Sequence, residues 1–207
     1  MPSSSADDEL SPRESVLLER ESVALNRFDE ETPDIYRRPI PLPKQVQDWI
    51  AGWGGRSLFL TGAIGVGKTH TAWKTCRRWL EAQYGPGQPW QGTPVIKPFR
   101  STALFDALRP DAPDGEGRAL VRKLQQVDLL FVDDLAAARP STWTQERLFE
   151  IFDERYIRRR PVIITCDVLP SQLSDITGPR VASRLAEMCG SSIVLLEGPD
   201  RRQGAAA

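Results

Sequence analysis

The chain is poor in the features that would place it in a membrane, mark it for export or build a metal centre. None of its apolar runs approaches the roughly 20 residues needed to cross a bilayer, so no membrane partner is expected. The N-terminus, MPSSSADDEL, is acidic and polar, which excludes a secretory signal and an Arg-rich transit peptide. Cysteine is scarce: Cys76, Cys166 and Cys189 are odd in number and lack ligand spacing. They read as reduced thiols of a cytoplasmic protein with no zinc site. Neither sign of charge dominates. With 27 Lys and Arg against 28 Asp and Glu, the net charge of −1 gives no global attraction to nucleic acid, and any such binding must come from local clusters. No internal repeat is visible.

The 207 residues suit one domain with a small appendage. Three parts are expected: a leading segment over 1–36, a core over 37–198 and a flexible tail over 199–207. Residues 1–12 are rich in Ser, Asp and Pro and are expected to be disordered. ESVLLERESVALNRF (Glu14 to Phe28) has the mixed pattern of a short helix, which either packs on its own domain or docks a partner. RRPIPLPKQ reads as an extended linker leading to a helix from Lys44 to Trp53.

From Ser57 onward, short apolar runs alternate with helical patterns. SLFLTG, VIKPF, VDLLFVDDL, PVIITCDV and SSIVLLEG read as strands. Helices are expected after the first glycine-rich turn (Thr71, Cys76, Trp79 and Leu80 on one face) and over STALFDALR, where Ser101 can cap. Two more cover ALVRKLQQ and GPRVASRLAEMC. Thr142 and Gln145 stand at capping-box spacing before the stripe Trp143, Leu148, Ile151, Phe152 and Tyr156. GPGQPWQGTP and PDAPDGEG read as loops. Continuous apolar strands alternating with helices predict an α/β fold with a mostly parallel sheet covered on both faces.

Between the first strand and its helix stands GAIGVGKTH, Gly62 to His70. Gly62, Gly67, Lys68 and Thr69 fit the pattern G-x-x-x-x-G-K-[ST] of a phosphate-binding loop. The residue types follow from the chemistry. Glycines, Gly65 included, let successive backbone N–H groups turn inward onto phosphate oxygens. The intervening Ala63, Ile64 and Val66 contribute backbone, and the helix opening at Gly67 adds its positive end. Lys68 offers a mobile ammonium to the outer phosphates of ATP, and the Thr69 hydroxyl is a hard oxygen ligand for Mg2+.

A phosphate loop of this kind needs an acidic residue at the tip of a neighbouring buried strand. LLFVDD (Leu129 to Asp134) supplies two: Asp133 for the Mg2+ shell and Asp134 for polarising the attacking water. Paired acids and the absence of an Arg-rich lid insertion separate the chain from small-molecule kinases. The site reads as that of an ATP-hydrolysing switch or motor.

The order FLTGAIGVGKTHTAW, VDLLFVDDL, FDERYIRRRPVIITCDV, GPRVASRLAEM resembles the DnaC/IstB-like helicase-loader branch of the AAA+ ATPases, over roughly Arg37 to Leu196. The resemblance implies an AAA+ three-layer αβα sandwich without the C-terminal helical lid domain. It implies a slow Mg-dependent ATPase that places a replicative DNA helicase on single-stranded DNA. Asp167 falls where the family has its sensor polar residue. Arg180 and Arg184 lie in the segment that carries the arginine finger, Arg184 slightly favoured, and a finger acting on the adjacent subunit implies head-to-tail self-association. The short region ahead of the core suits a phage or mobile-element version. Two other readings stay open: a transposition helper ATPase of the same branch, and an ATP-controlled interaction protein that hydrolyses little.

One basic cluster stands out. Arg155, Arg158, Arg159 and Arg160 collect at a helix end, where they either complement the helix dipole or follow the phosphates of a DNA single strand.

Overall fold

A computed structural model describes residues 11–52, 54–85, 92–110 and 116–201. The expectations for residues 1–10, for Trp53, for much of the two loops GPGQPWQGTP and PDAPDGEG, and for the tail beyond Arg201 lie outside these residues. Strands β1 (Leu58–Gly62), β2 (Ile96–Arg100), β3 (Leu129–Asp133), β4 (Val162–Thr165) and β5 (Ile193–Leu196) form one sheet in the order β2-β3-β4-β1-β5. Every pairing is parallel. The strands that carry the expected site lie side by side: β1 pairs with β4, and β4 with β3.

The central strands are apolar throughout because both faces are covered. Their side chains alternate between the two faces with the two-residue period of a strand. Phe59, Leu130, Val132, Val162 and Ile164 enter a core with helices α4 (Ser101–Ala107), α5 (Glu116–Gln126), α6 (Thr142–Ile157) and α8 (Pro179–Cys189). Leu58, Leu60, Leu129, Phe131 and Ile163 enter the opposite core with α1 (Pro12–Glu31), α2 (Lys44–Ala51) and α3 (Lys68–Ala82). The short α7 (Ser174–Thr177) precedes α8, and no helix follows β5 among the described residues. The expected three-layer αβα sandwich is therefore present, with no lid among the described residues.

Several local expectations are corrected. Helix α1 is longer than Glu14 to Phe28, because Ser11 and Glu14 close a capping box ahead of it. It packs on its own domain through Ala24 and Phe28, and Asp29 accepts from Arg77 of α3 at 2.9 Å. Leu17 and Leu18 of the same helix remain exposed. Ser141, not Thr142, caps α6: its extended backbone aims Oγ at the Thr144 N–H, 3.2 Å away. Gln145 instead donates to the Pro140 carbonyl. Ser101 is the first residue of α4 rather than its cap. Within the α6 stripe, Leu148, Ile151 and Phe152 are buried while Trp143 and Tyr156 are exposed.

Candidate nucleotide-binding site

β1 ends at Gly62 and α3 begins at Lys68, so the loop between them sits at the carboxyl edge of the sheet with a helix N-terminus aimed out of it. Gly62, Gly65 and Gly67 have φ of 143°, 82° and 102°. A side chain at Gly62 would also meet the Leu196 carbonyl oxygen at 2.2 Å, so only glycine fits between β1 and β5. Lys68 curls back over the loop, and its Nζ donates to the carbonyls of Gly62 at 2.8 Å and Ala63 at 3.0 Å. A lysine held there by two carbonyls needs only a side-chain rotation to meet an anion in the loop.

The expected metal pair is in contact. Thr69 Oγ1 donates to Asp133 Oδ1 at 2.8 Å, joining the first turn of α3 to the tip of β3. A third residue, missed in the sequence, completes the group. Thr165, at the end of β4, donates its hydroxyl to the same Oδ1 at 2.7 Å and accepts from the Asp134 backbone N–H at 2.7 Å. The signal was present in VIITCD, where one hydroxyl ends an otherwise apolar buried strand.

Asp134 itself adopts a left-handed backbone, φ 55°, a conformation that Asp tolerates better than most residues. Its carbonyl accepts from Ser101 Oγ at 2.5 Å, so hydroxyls of α4 and β4 hold its peptide from both sides. Asp134 is exposed, while Asp133 is half-buried within the hydroxyl pair. Asp167 lies two residues beyond β4 and is exposed.

Two segments that sequence reasoning did not assign close on the loop. The linker after α1 reaches α3: His70 Nε2 lies 2.8 Å from the Arg38 carbonyl, Lys74 donates to the Arg37 carbonyl, and Tyr36 stacks on Trp73. From the other side, the turn after β5 crosses the loop. The Arg201 N–H donates to the Gly65 carbonyl at 3.0 Å, and the Asp200 carboxylate occupies the place a side chain at Gly65 would need. Burial lowers the His70 pKa, and the charges of Lys74, Arg38 and Arg201 add to this against the Arg38 carbonyl, which favours the proton.

The two candidate finger arginines differ in their commitments. Arg184 is ion-paired to Asp153 at 2.7 Å and to Glu187 at 2.8 Å, and it covers the Tyr156 ring. Arg180 is exposed, its guanidinium resting on the Phe149 ring at 3.9 Å with no ion pair among the described residues.

The basic cluster does not act as one surface. Arg155 is fully buried, which contradicts its assignment to DNA. Its guanidinium donates to the carbonyls of Leu124, Val127, Asp128 and Pro161, and burial lowers its pKa to about 9. It ties the end of α6 to the end of α5 and the start of β4. Arg158 pairs with Glu154 and Arg160 donates to the Gln125 carbonyl, whereas Arg159 has no ion pair among the described residues.

Residues 101–190 match the sequence model of the bacterial DnaA ATPase domain. The phage-like element PBSX protein XkdC of Bacillus subtilis (strain 168) is 25% identical over 147 residues, 69% of this chain and 51% of that protein. The chain therefore spans about half the length of this curated relative. Among solved structures, the DnaC helicase loader superposes with a TM-score of 0.61 at 21% identity, over 78% of this chain and 96% of DnaC. A replication initiator DnaA bound to AMPPCP and single-stranded DNA gives 0.59 at 22%, over 75% and 45%. The chain shares the fold of these solved structures, the helicase loader and the initiator alike.

Proposed function

We propose that this chain is a Mg·ATP-dependent helicase loader that hydrolyses ATP slowly. The observation that carries the reading is the convergence of Thr69, Asp133 and Thr165 beside a glycine-turned loop with a ready lysine. These residues fit the group: backbone N–H donors and Lys68 suit a triphosphate, and Thr69 with Asp133 offers hard oxygens to Mg2+. When bound, Mg·ATP supplies the phosphoanhydride whose cleavage drives the switch. Asp134 orients the water, Asp167 stands beyond the tip of the neighbouring strand as the polar sensor, and an arginine of the next subunit completes the site. Arg180 is the better finger, because Arg184 is already paired within its own chain.

The loader role rests on the likeness to DnaC along nearly the whole of that chain. Single-stranded DNA and a replicative helicase are the proposed partners, with head-to-tail assembly between copies. The test is recovery of the purified protein from its own lysate with ATP and Mg2+. A hexameric helicase is expected. A transposase in its place would move the chain to the transposition helpers while leaving the site assignments intact.

A further inference from the structure

The amino edge of the sheet, opposite the phosphate loop, carries a second cationic feature. A cavity of about 510 Å³ opens between the segment leading into β1, the end of α6 and the end of α8. Arg56, Arg159 and Arg160 line it together with the buried Arg155, and its one carboxylate, Glu187, is taken by Arg184. Neither Arg56 nor Arg159 has an ion pair among the described residues, and Arg160 spends one nitrogen on the Gln125 carbonyl. The buried Arg155 Nε also lacks a hydrogen-bond partner. Positive charge is gathered here without internal neutralisation.

The backbone is shaped to keep it so. Gly190, at φ 53°, ends α8 and leaves the space where Arg56 lies: a side chain there would sit 2.6 Å from its guanidinium. Arg159 adopts a left-handed φ of 53°, a conformation usually given to glycine, yet the residue is an exposed arginine. The wall also holds Tyr156 and Ile157, 42% and 62% exposed, with the Arg184 guanidinium over one face of the Tyr156 ring.

Resting on the single-strand partner proposed above, we infer that this cavity is where the strand binds, its phosphates on Arg56, Arg159 and Arg160 and an unstacked base against Tyr156 and Ile157. Free guanidiniums beside an exposed aromatic are the combination that holds a strand without reading its sequence. A stacked duplex offers no free base face to Tyr156, so single strands are preferred. Strands of four to five residues separate this edge from the phosphate loop, about 15 Å of sheet, so strand and nucleotide occupy opposite ends of one rigid layer.

The test measures binding of fluorescein-labelled oligo(dT) and of a hairpin duplex to the full chain over a salt series. The variants are Arg56→Ala with Arg159→Gly, and separately Tyr156→Ala. The first pair should bind oligo(dT) about tenfold more weakly and flatten the log affinity against log salt slope by about 1.4, since two phosphate contacts are lost and each displaces about 0.7 counterion from a single strand. Tyr156→Ala should weaken oligo(dT) binding about fivefold with the slope unchanged. Arg159→Gly suits its backbone, so its melting temperature should not fall, which separates a binding loss from unfolding. Unchanged affinity and slope in the double variant would overturn the site. Equal affinity for duplex and single strand would overturn the single-strand assignment, as would variants that lose only the binding of an acidic peptide.

Discussion

A single threonine decides how much of the catalytic geometry is fixed before any nucleotide arrives. Thr165 holds an oxygen of Asp133 and the peptide N–H of Asp134 at once, so losing its hydroxyl loosens both carboxylate-bearing residues together and leaves them to Thr69 and Ser101. Thr165→Val keeps the shape of a buried strand residue and removes only the hydrogen bonds. It should cost about 1–3 kcal/mol of stability, as unsatisfied buried partners do. Steady-state kinetics should show ATP turnover falling about tenfold or more with KM for ATP within about threefold, because the phosphate loop itself is untouched. A change in KM alone would make the threonine part of nucleotide binding rather than of carboxylate positioning. Lys68→Ala bears on the loop directly: fluorescent-nucleotide titration should show ATP affinity reduced about a hundredfold, and retained affinity would remove the loop from phosphate binding.

His70 adds a pH term at the same scale. Its folded-state pKa lies below the ordinary 6.5, so the folded chain binds fewer protons than the unfolded chain in the window just under that value. The stability it contributes is therefore full above about 6.5 and is lost as pH falls through the depressed pKa. Melting temperature followed from pH 7.5 to 5 should decline more steeply in the native chain than in His70→Gln, which cannot charge. Equal slopes would show that burial does not hold the His70 imidazole below its ordinary pKa.

At the scale of elements, the divide between what the sequence shows and what it hides follows the range of the interactions. The strands and the phosphate loop were legible because local pattern and backbone demand coincide: apolar runs need two covers, and GAIGVGK needs its glycines. The pairing of Thr69 with Asp133 was legible as chemistry, since residues 64 apart in sequence carry a known division of labour. Arg155 was misread because its role is set by four carbonyls contributed by α5 and by the turns before β3 and β4, none of which a charge count reveals. A basic run at a helix end looks alike whether it faces solvent or closes a gap. The Arg201 turn over the loop was invisible for a related reason, as only parallel placement of β5 beside β1 brings it there. Arg155→Met tests the reassignment. Stranding several buried carbonyls should cost about 3 kcal/mol, a fall of roughly 6–12 °C in melting temperature for a chain of this length. Single-strand affinity of the folded fraction should stay unchanged, and a DNA defect without a stability defect would restore the original surface role.

On the proposed reading, each molecule carries half of a catalytic site. The glycine-rich loop, Thr69, Asp133 and Asp134 lie at one edge of the sheet, whereas the exposed arginine proposed as finger stands on α8, on the layer opposite α3. An arginine so placed acts on a neighbour's nucleotide only in a head-to-tail contact, which joins two different surfaces and repeats. Complementation separates this arrangement from one in which each chain works alone. Arg180→Ala should bind ATP normally and lose hydrolysis that depends on protein concentration. Lys68→Ala should bind ATP about a hundredfold more weakly and yet still offer Arg180 to its neighbour. Mixing the two inactive proteins should therefore restore part of the native rate, since one of the two kinds of mixed contact pairs an intact loop with an intact arginine. Arg184→Ala breaks the ion pairs to Asp153 and Glu187, so its first effect should be on stability, with hydrolysis per folded molecule preserved. If the mixture of Lys68→Ala with Arg184→Ala recovers activity and Arg180→Ala alone remains active, the ion-paired arginine must leave its partners on assembly, and subunit contact would then be coupled to a rearrangement between α6 and α8.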